Sequence, residues 1–146
     1  MYSGYCELLP FLGLHKVFDG NDFVYHVGGQ TALCIQRSAS AYEDERFVQS
    51  RVGLQHLCLR ARSRDDVDKA AAKLREMGAK IDRGPMEREW APGYHFVVFE
   101  DPDGIRLETN HIPDKGLLAG ETPAAPTNDP RQGPEPMSSA VERAGC

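Results

Sequence analysis

Apolar residues spaced three or four positions apart predict one clear helix, over 64–77. The stripe consists of Val67, Ala70, Ala71, Leu74 and Met77. Ser63 is a suitable N-cap, and the acidic residues just after it suit the positive end of a helix dipole. Gly78 stands where a left-handed residue commonly ends a helix.

Short segments rich in β-branched and aromatic residues bracket this helix and predict strands. They cover 52–60, 80–83, 94–99 and 105–110. The sequence Asp-Pro-Asp-Gly over 101–104 predicts a tight turn, because Pro suits its second position and Gly its fourth. Segment 84–94 is predicted to be a long loop between strands. The resulting order is strand, helix and three strands.

The first third of the chain repeats most of that order. A helix end over 5–9 is followed by predicted strands over 14–19, 23–27 and 31–37, with Gly28-Gly29 as a hairpin turn. We therefore expect two copies of a βαβββ unit. The incomplete first copy covers 1–37, a polar linker 38–51, and the second copy 52–112. The first copy lacks an opening strand and most of its helix.

The composition changes after Ile112. Six of the ten prolines lie at or after Pro113, and no aromatic residue follows it. Such a segment buries too little apolar surface to offset its ordering entropy, so 113–146 is predicted to be a disordered tail.

Charge and composition narrow the classes of function. The 146 residues carry a net charge of -5, which gives no electrostatic footprint for nucleic acid or anionic membranes. No apolar run approaches the roughly 18 residues of a membrane span, and no secretory signal is recognisable at the N-terminus. The four cysteines are scattered, which favours free thiols. We expect a cytoplasmic protein that acts on, or binds, a small molecule.

Three stretches of the chain resemble the vicinal oxygen chelate superfamily, over roughly 5–112. They are Gly-Leu-Gln-His-Leu-Cys-Leu over 53–59, Leu74 with Gly-Ala-Lys over 78–80, and Phe-Glu-Asp-Pro-Asp-Gly-Ile-Arg-Leu-Glu over 99–108. That superfamily includes glyoxalase I, extradiol dioxygenases, fosfomycin-resistance enzymes and bleomycin-binding proteins. The resemblance implies an α+β fold of paired βαβββ modules, whose curved sheets form an open barrel. It also implies a divalent metal, Fe, Mn, Ni or Zn, held by residues from four strands.

The resemblance assigns two metal ligands to the second module. His56 matches the ligand on its first strand, and Glu108 matches the ligand on its last strand and is also a candidate proton shuttle. On the last strand of the first module the available residues are Cys34 and Gln36, and Gln36 is the candidate third ligand. The fourth ligand would lie on the opening strand of the first module. That strand lies upstream, is donated with its ligands by a second chain, or has been lost together with the metal.

Strand alternation and the predicted loop suggest which residues line a substrate pocket. Cys58 and Arg60 share the face of His56, and Arg106 shares that of Glu108. Cys34 joins this set from the first module, and Trp90 and Tyr94 join it from the loop over 84–94. His15 and His26 have no partners in the sequence and are predicted to lie on the surface.

Three functional hypotheses follow. The first is a metal-dependent lyase or isomerase, dioxygenase or antibiotic-modifying enzyme for a small oxygen-rich molecule. The second is a metal-free drug-binding or metabolite-binding protein of the bleomycin-resistance type. The third is a scaffold whose dimer surface is its function. Because an unpaired sheet edge in the first module favours aggregation, we expect either a homodimer or a native chain that extends further upstream.

Overall fold

The computed structural model describes residues 3–114, so nearly all of the predicted tail lies outside the described residues. Within that range the chain forms two α-helices, a short 3-10 helix (Ser40–Tyr42) and seven strands. In chain order the helices and strands are α1 (Ser3–Phe11), β1 (His15–Asp19), β2 (Phe23–Gly28), β3 (Thr31–Gln36), β4 (Leu57–Arg60), α2 (Arg64–Glu76), β5 (Lys80–Arg88), β6 (Tyr94–Glu100) and β7 (Arg106–His111). None of the helices in 3–114 combines the length and apolarity needed to cross a membrane.

The strands form two sheets, and the predicted α+β class is confirmed. The first sheet is antiparallel in the order β1-β2-β3. The second has the order β4-β7-β6-β5, with β4 parallel to β7 and the other pairs antiparallel. Helix α2 follows β4 in sequence, so 57–111 forms a strand, a helix and three strands. Strands β1 to β3 follow α1 in the same order as β5 to β7 follow α2.

Both helices end where local chemistry predicts. The Ser63 hydroxyl accepts a hydrogen bond from the Asp66 amide at 3.1 Å and caps α2. Beyond the C-cap at Met77, Gly78 has a φ of +70°. Gly13 has the same role after α1, with a φ of +86°. Helix α1 spans Ser3–Phe11, so the first unit contains more of its helix than the predicted segment 5–9.

The main core lies between the helices and one face of the second sheet. It contains Tyr5, Leu8, Leu9, Leu14, Val67, Ala71, Leu74, Val97, Phe99 and Leu107. A smaller apolar cluster covers the opposite face of that sheet, with Ala91, Tyr94, Phe96, Val98 and Ile112. Because apolar residues cover both of its faces, β6 is buried along nearly its whole length. Glu108 on β7 lies on the side of the smaller cluster, next to Val98.

Four local predictions are wrong. The strand predicted over 52–60 begins only at Leu57, after an irregular segment in which Gly53 has a φ of +152°. The segment 84–94 is not one long loop, because β5 continues to Arg88. Gly84 and Pro85 are accommodated there by irregular pairing on an edge strand. The hairpin between β2 and β3 turns at 29–30 rather than at 28–29, since Gly28 still pairs with Thr31.

The fourth error concerns His26, which is fully buried rather than on the surface. It alternates with Phe23 and Tyr25 on β2 and shares the inner face of that strand with Val24. Burial lowers the pKa of its imidazole, an effect reinforced by the charge of Lys16. His15 on β1 is exposed, as predicted.

Candidate active site

The parallel pairing of β4 with β7 brings the two predicted metal ligands together. Cys58 and Glu108 are register partners, and His56 lies two residues before Cys58 on the same face. The His56 Nε2 atom is 3.6 Å from the Glu108 Oε2 atom. Leu57 and Leu59 point to the other face and pack against the main core. Residues fifty positions apart in the chain thus form one polar site.

Glu108 is a buried carboxylate whose Oε1 atom accepts several hydrogen bonds. Its side chain is only 5 % exposed. The Tyr94 hydroxyl donates to Oε1, as does Asn110 Nδ2 at 2.7 Å. The Cys58 thiol lies 3.7 Å from the same oxygen. Because a buried carboxylate is costly without partners, these donors compensate for the water that Glu108 has lost.

Two of these donors keep their protons at neutral pH. Burial is the main cause that raises the pKa of the Tyr94 hydroxyl, and its hydrogen bond to Glu108 adds to the effect. Burial likewise raises the pKa of the Cys58 thiol to about 12, with a further contribution from the charge of Glu108. The two groups therefore remain hydrogen-bond donors, and Cys58 is not activated as a thiolate nucleophile.

The distance between His56 and Glu108 fits two ligands of one metal ion. Atoms that each lie about 2.1 Å from a shared ion are about 3.0 Å apart at a right angle and about 3.6 Å apart at 120°. An imidazole and a carboxylate also suit Fe, Mn, Ni or Zn. Within 3–114, however, no group of three His, Cys, Asp or Glu side chains is arranged to hold a metal. The described residues thus offer two ligands, whereas catalytic sites usually supply three.

The candidates from the first module lie on the other sheet. Cys34 and Gln36 are exposed on β3, and their register partners on β2 are Tyr25 and Phe23. Together with Phe18 and Val27 they belong to one exposed face of the first sheet.

The two candidate arginines already have partners. Arg60 donates from Nη2 to the Ile112 carbonyl oxygen at 3.3 Å. Arg106 Nη2 is 3.9 Å from Asp82 and 3.8 Å from Glu100. These contacts hold both side chains at strand ends, and a ligand anion would compete with acidic groups for Arg106.

Aromatic side chains form a wall beside Glu108. Trp90, in the short loop between β5 and β6, has its ring 5.2 Å from that of Tyr94 and 5.3 Å from that of Phe96. Tyr94, where the predicted loop over 84–94 meets the predicted strand over 94–99, is the first residue of β6. Since its hydroxyl bonds to Glu108, the aromatic cluster and the carboxylate are directly linked.

One residue of this network, Asn110, was missed by the sequence analysis. It lies two positions after Glu108 on β7, so strand alternation places it on the same face. This strand periodicity was the sequence signal that could have identified Asn110 as a site residue. His95, in contrast, lies on the helix side of β6, where its Nε2 is 2.7 Å from Asp68 Oδ1.

Comparisons with known proteins agree with this fold. A family model described as Glyoxalase/Bleomycin resistance protein/Dioxygenase superfamily matches residues 5–109. An uncharacterized Bacillus subtilis protein, YqjT, is 33 % identical over 79 residues. The match covers 52 % of this chain and 60 % of that relative's length, so this chain spans less than two thirds of it.

Solved structures with similar folds come from several bacteria. The structure of a putative glyoxalase from Bacillus halodurans is 29 % identical, with a TM-score of 0.67, and the match covers 76 % of this chain and 84 % of that one. Lactoylglutathione lyase from Agrobacterium tumefaciens is 19 % identical, with a TM-score of 0.52 and coverage of 73 % and 79 %, and shares the fold alone. With the family match over 5–109, these findings show that the chain belongs to the glyoxalase/bleomycin resistance protein/dioxygenase superfamily.

Proposed function

We propose that this protein is a metal-dependent enzyme for a small, oxygen-rich molecule, with His56 and Glu108 as two of the metal ligands. The observation that carries the proposal is the 3.6 Å distance between His56 Nε2 and the Oε2 atom of the buried Glu108. Glu108 Oε1 already has hydrogen-bond donors, so Oε2 beside the imidazole is the oxygen free to bind a cation. Membership of this superfamily supports a role for the pair in metal binding.

The protein's own groups define what such a site can do. A bound divalent ion supplies Lewis-acid polarisation of substrate oxygens. His56 and Glu108 would hold that ion, and Oε2, the Glu108 oxygen that does not accept from Tyr94 or Asn110, is the atom that would accept a substrate proton. The cluster of Trp90, Tyr94 and Phe96 contacts Glu108 through the Tyr94 hydroxyl and would shield that side of the carboxylate from water. Lyase or isomerase, dioxygenase and antibiotic-modifying reactions all use such a site, and fold alone does not select among them.

We further propose that the functional unit is a homodimer and that the partner contributes Gln36 to the metal site. Gln36 lies on an exposed face of the first sheet that also carries Phe18, Phe23, Tyr25 and Val27. An exposed apolar face of this kind commonly marks an interaction surface. The third ligand that the described residues lack would then come from a second chain.

Metal affinity tests this function directly. The full chain is titrated with Mn(II), Fe(II), Ni(II) and Zn(II) in turn, and bound metal is counted by mass spectrometry after dialysis. His56→Ala and Glu108→Gln are each expected to weaken binding by at least about tenfold, because each removes a ligand. His15→Ala and Glu45→Gln change exposed residues of the same types outside the site and should bind as wild type does. Wild-type protein without stoichiometric metal, or ligand variants that bind normally, would refute the proposal.

A second candidate function is metal-free binding of an aromatic drug or metabolite. The ring cluster beside Glu108 favours it, because aromatic side chains commonly line ligand pockets. Trp90 is the only tryptophan in the sequence, so its fluorescence reports on this cluster. Ligand-induced quenching that is unchanged by a chelator and by His56→Ala would favour this candidate over the enzyme.

A further inference from the structure

The two oxygens of the Glu108 carboxylate lie in different surroundings. Oε1 accepts from the Tyr94 hydroxyl and from Asn110 Nδ2, with the Cys58 thiol also in reach. Oε2 is the oxygen that faces His56 Nε2. The carboxylate is therefore held by one oxygen and presents the other to the imidazole.

The donors to Oε1 also restrain one another. Asn110 Nδ2 donates to the Tyr94 oxygen at 2.9 Å as well as to Oε1 at 2.7 Å. Since Tyr94 has a single hydroxyl proton, and that proton points to Glu108, the three side chains form a closed ring of hydrogen bonds. Such rings reinforce their members and limit rotation of the carboxylate.

The orientation of the Asn110 amide also supports this ring of hydrogen bonds. Its Oδ1 atom is buried and has no hydrogen-bond partner among the described residues. Leaving a buried acceptor unpaired costs free energy. Rotating the amide would turn Oδ1 toward the carboxylate and lose both donated hydrogen bonds. The observed orientation is therefore the one that keeps the hydrogen bonds to Glu108 and Tyr94.

We propose that Tyr94 and Asn110 are positioning residues that make Glu108 a one-oxygen metal ligand, with Oε1 held by the ring and Oε2 directed beside His56. The inference rests on the proposed metal-binding function and specifies how its carboxylate ligand binds. A carboxylate oxygen has two lone pairs, and Oε1 already accepts from two donors, Tyr94 and Asn110. Coordination through both oxygens would require breaking this ring.

Cobalt(II) is the probe, because its visible spectrum reports coordination number and geometry as well as binding. Tyr94→Phe removes one hydroxyl but keeps the ring that packs on Trp90 and Phe96. Asn110→Leu removes the amide at nearly constant volume. Each variant of the full chain is expected to bind Co(II) about tenfold to a hundredfold more weakly than wild type, the usual effect of losing groups that orient a ligand. The visible bands should also shift as Glu108 gains freedom to bind through both oxygens.

Matched controls separate positioning from general stability. Tyr42→Phe changes an exposed tyrosine, and Thr109→Val changes a buried β7 residue on the opposite face from Glu108. Both should retain the wild-type affinity and spectrum. Circular dichroism establishes that each variant is folded, and the infrared carboxylate stretch that disappears in Glu108→Gln reports on the ring without metal. That band should move in both ring variants.

The outcomes distinguish the two proposals. Wild-type protein that binds no Co(II) refutes the metal site and the positioning role together. If wild type binds Co(II) but folded Tyr94→Phe and Asn110→Leu match it in affinity and spectrum, only the positioning role is refuted. If one of the two ring variants fails to fold, the test rests on the other variant, on its Co(II) affinity and on its Glu108 infrared band. An unchanged infrared band in that variant refutes the inference.

Discussion

The Tyr5 hydroxyl links the first helix to the turn before β7. Tyr5 on α1 is buried, and its hydroxyl donates to Asp101 Oδ2 at 2.6 Å. The other oxygen of Asp101 accepts from the amides of Asp103 and Ile105 in the turn before β7. Burial, followed by the hydrogen bond to Asp101, raises the pKa of Tyr5 above its ordinary value of 10.0. One side-chain pair thus connects α1 to the turn that begins the strand carrying Glu108.

Replacing Tyr5 by Phe should lower the free energy of unfolding by about 1–3 kcal/mol at pH 7, because Asp101 loses a buried donor. Since the folded-state pKa of Tyr5 is raised, its contribution is complete below about pH 9 and declines as pH rises through the ordinary pKa of 10.0. The difference between wild type and Tyr5→Phe should therefore shrink between pH 9 and 11.5 in urea unfolding experiments. Tyr42→Phe, at an exposed position, is the control. A difference that stays constant with pH would contradict this assignment.

At the scale of elements, the second sheet depends on an irregular edge strand. The register between β5 and β6 shifts twice, between Ile81 and Arg83 and between Arg83 and Met86. Gly84 lies within the second shift, with a φ of +87°, and a Cβ atom there would collide with the Phe96 carbonyl oxygen. Strand β6 begins with Tyr94, so the shape of this edge affects one wall of the candidate active site.

Gly84→Ala should therefore destabilise the protein by more than about 2 kcal/mol, since a left-handed backbone and a steric clash combine. Gly78→Ala is the matched comparison, because Gly78 also has a positive φ, of +70°, but a Cβ atom there meets open space. Its expected cost is about 1 kcal/mol. Thermal and urea unfolding measure both variants, and equal costs would show that the collision at Gly84 is relieved by a small backbone movement.

At the scale of the whole molecule, the two sheets differ in what covers them. The second sheet has apolar cover on both faces, whereas the first exposes one apolar face. On that face Phe18 is 53 % exposed, and Phe23 and Tyr25 are each 37 % exposed. The stacked rings of Phe18 and Phe23, with centroids 5.0 Å apart, make the surface continuous. A second chain seated there would bury this surface, as the proposed homodimer requires.

Sedimentation velocity of the full chain is expected to show a dimer that Phe23→Glu dissociates, because a charge on this face opposes its burial. Tyr42→Glu places the same charge on an exposed aromatic position outside the sheet and should leave the dimer intact. If the partner's Gln36 is a ligand, Phe23→Glu also weakens metal binding. A wild-type monomer over the micromolar range would exclude the dimer, and a dimer that survives Phe23→Glu would place its interface elsewhere.

Features set by neighbouring residues were predictable from the sequence. The limits of α2 follow from the Ser63 cap, the apolar stripe and Gly78, all of which act within one or two helical turns. The turn at 101–104 was predictable from the conformational preferences of its own four residues. No local pattern places His56 beside Glu108. That prediction came from the family resemblance, and the structure shows the pairing of β4 with β7 that brings the two residues together.

Only the tertiary structure decided the features that depend on distant partners. Gly84 and Pro85 predict a loop locally, yet they remain in β5 because β6 lies beside that strand. His26 has no sequence signal for burial, and its position on the inner face of β2 decides it. Asn110 belongs to the site because Tyr94, on a neighbouring strand, brings its hydroxyl within 2.9 Å. Periodicity identifies which side of a strand a residue occupies, but packing between elements decides what it meets there.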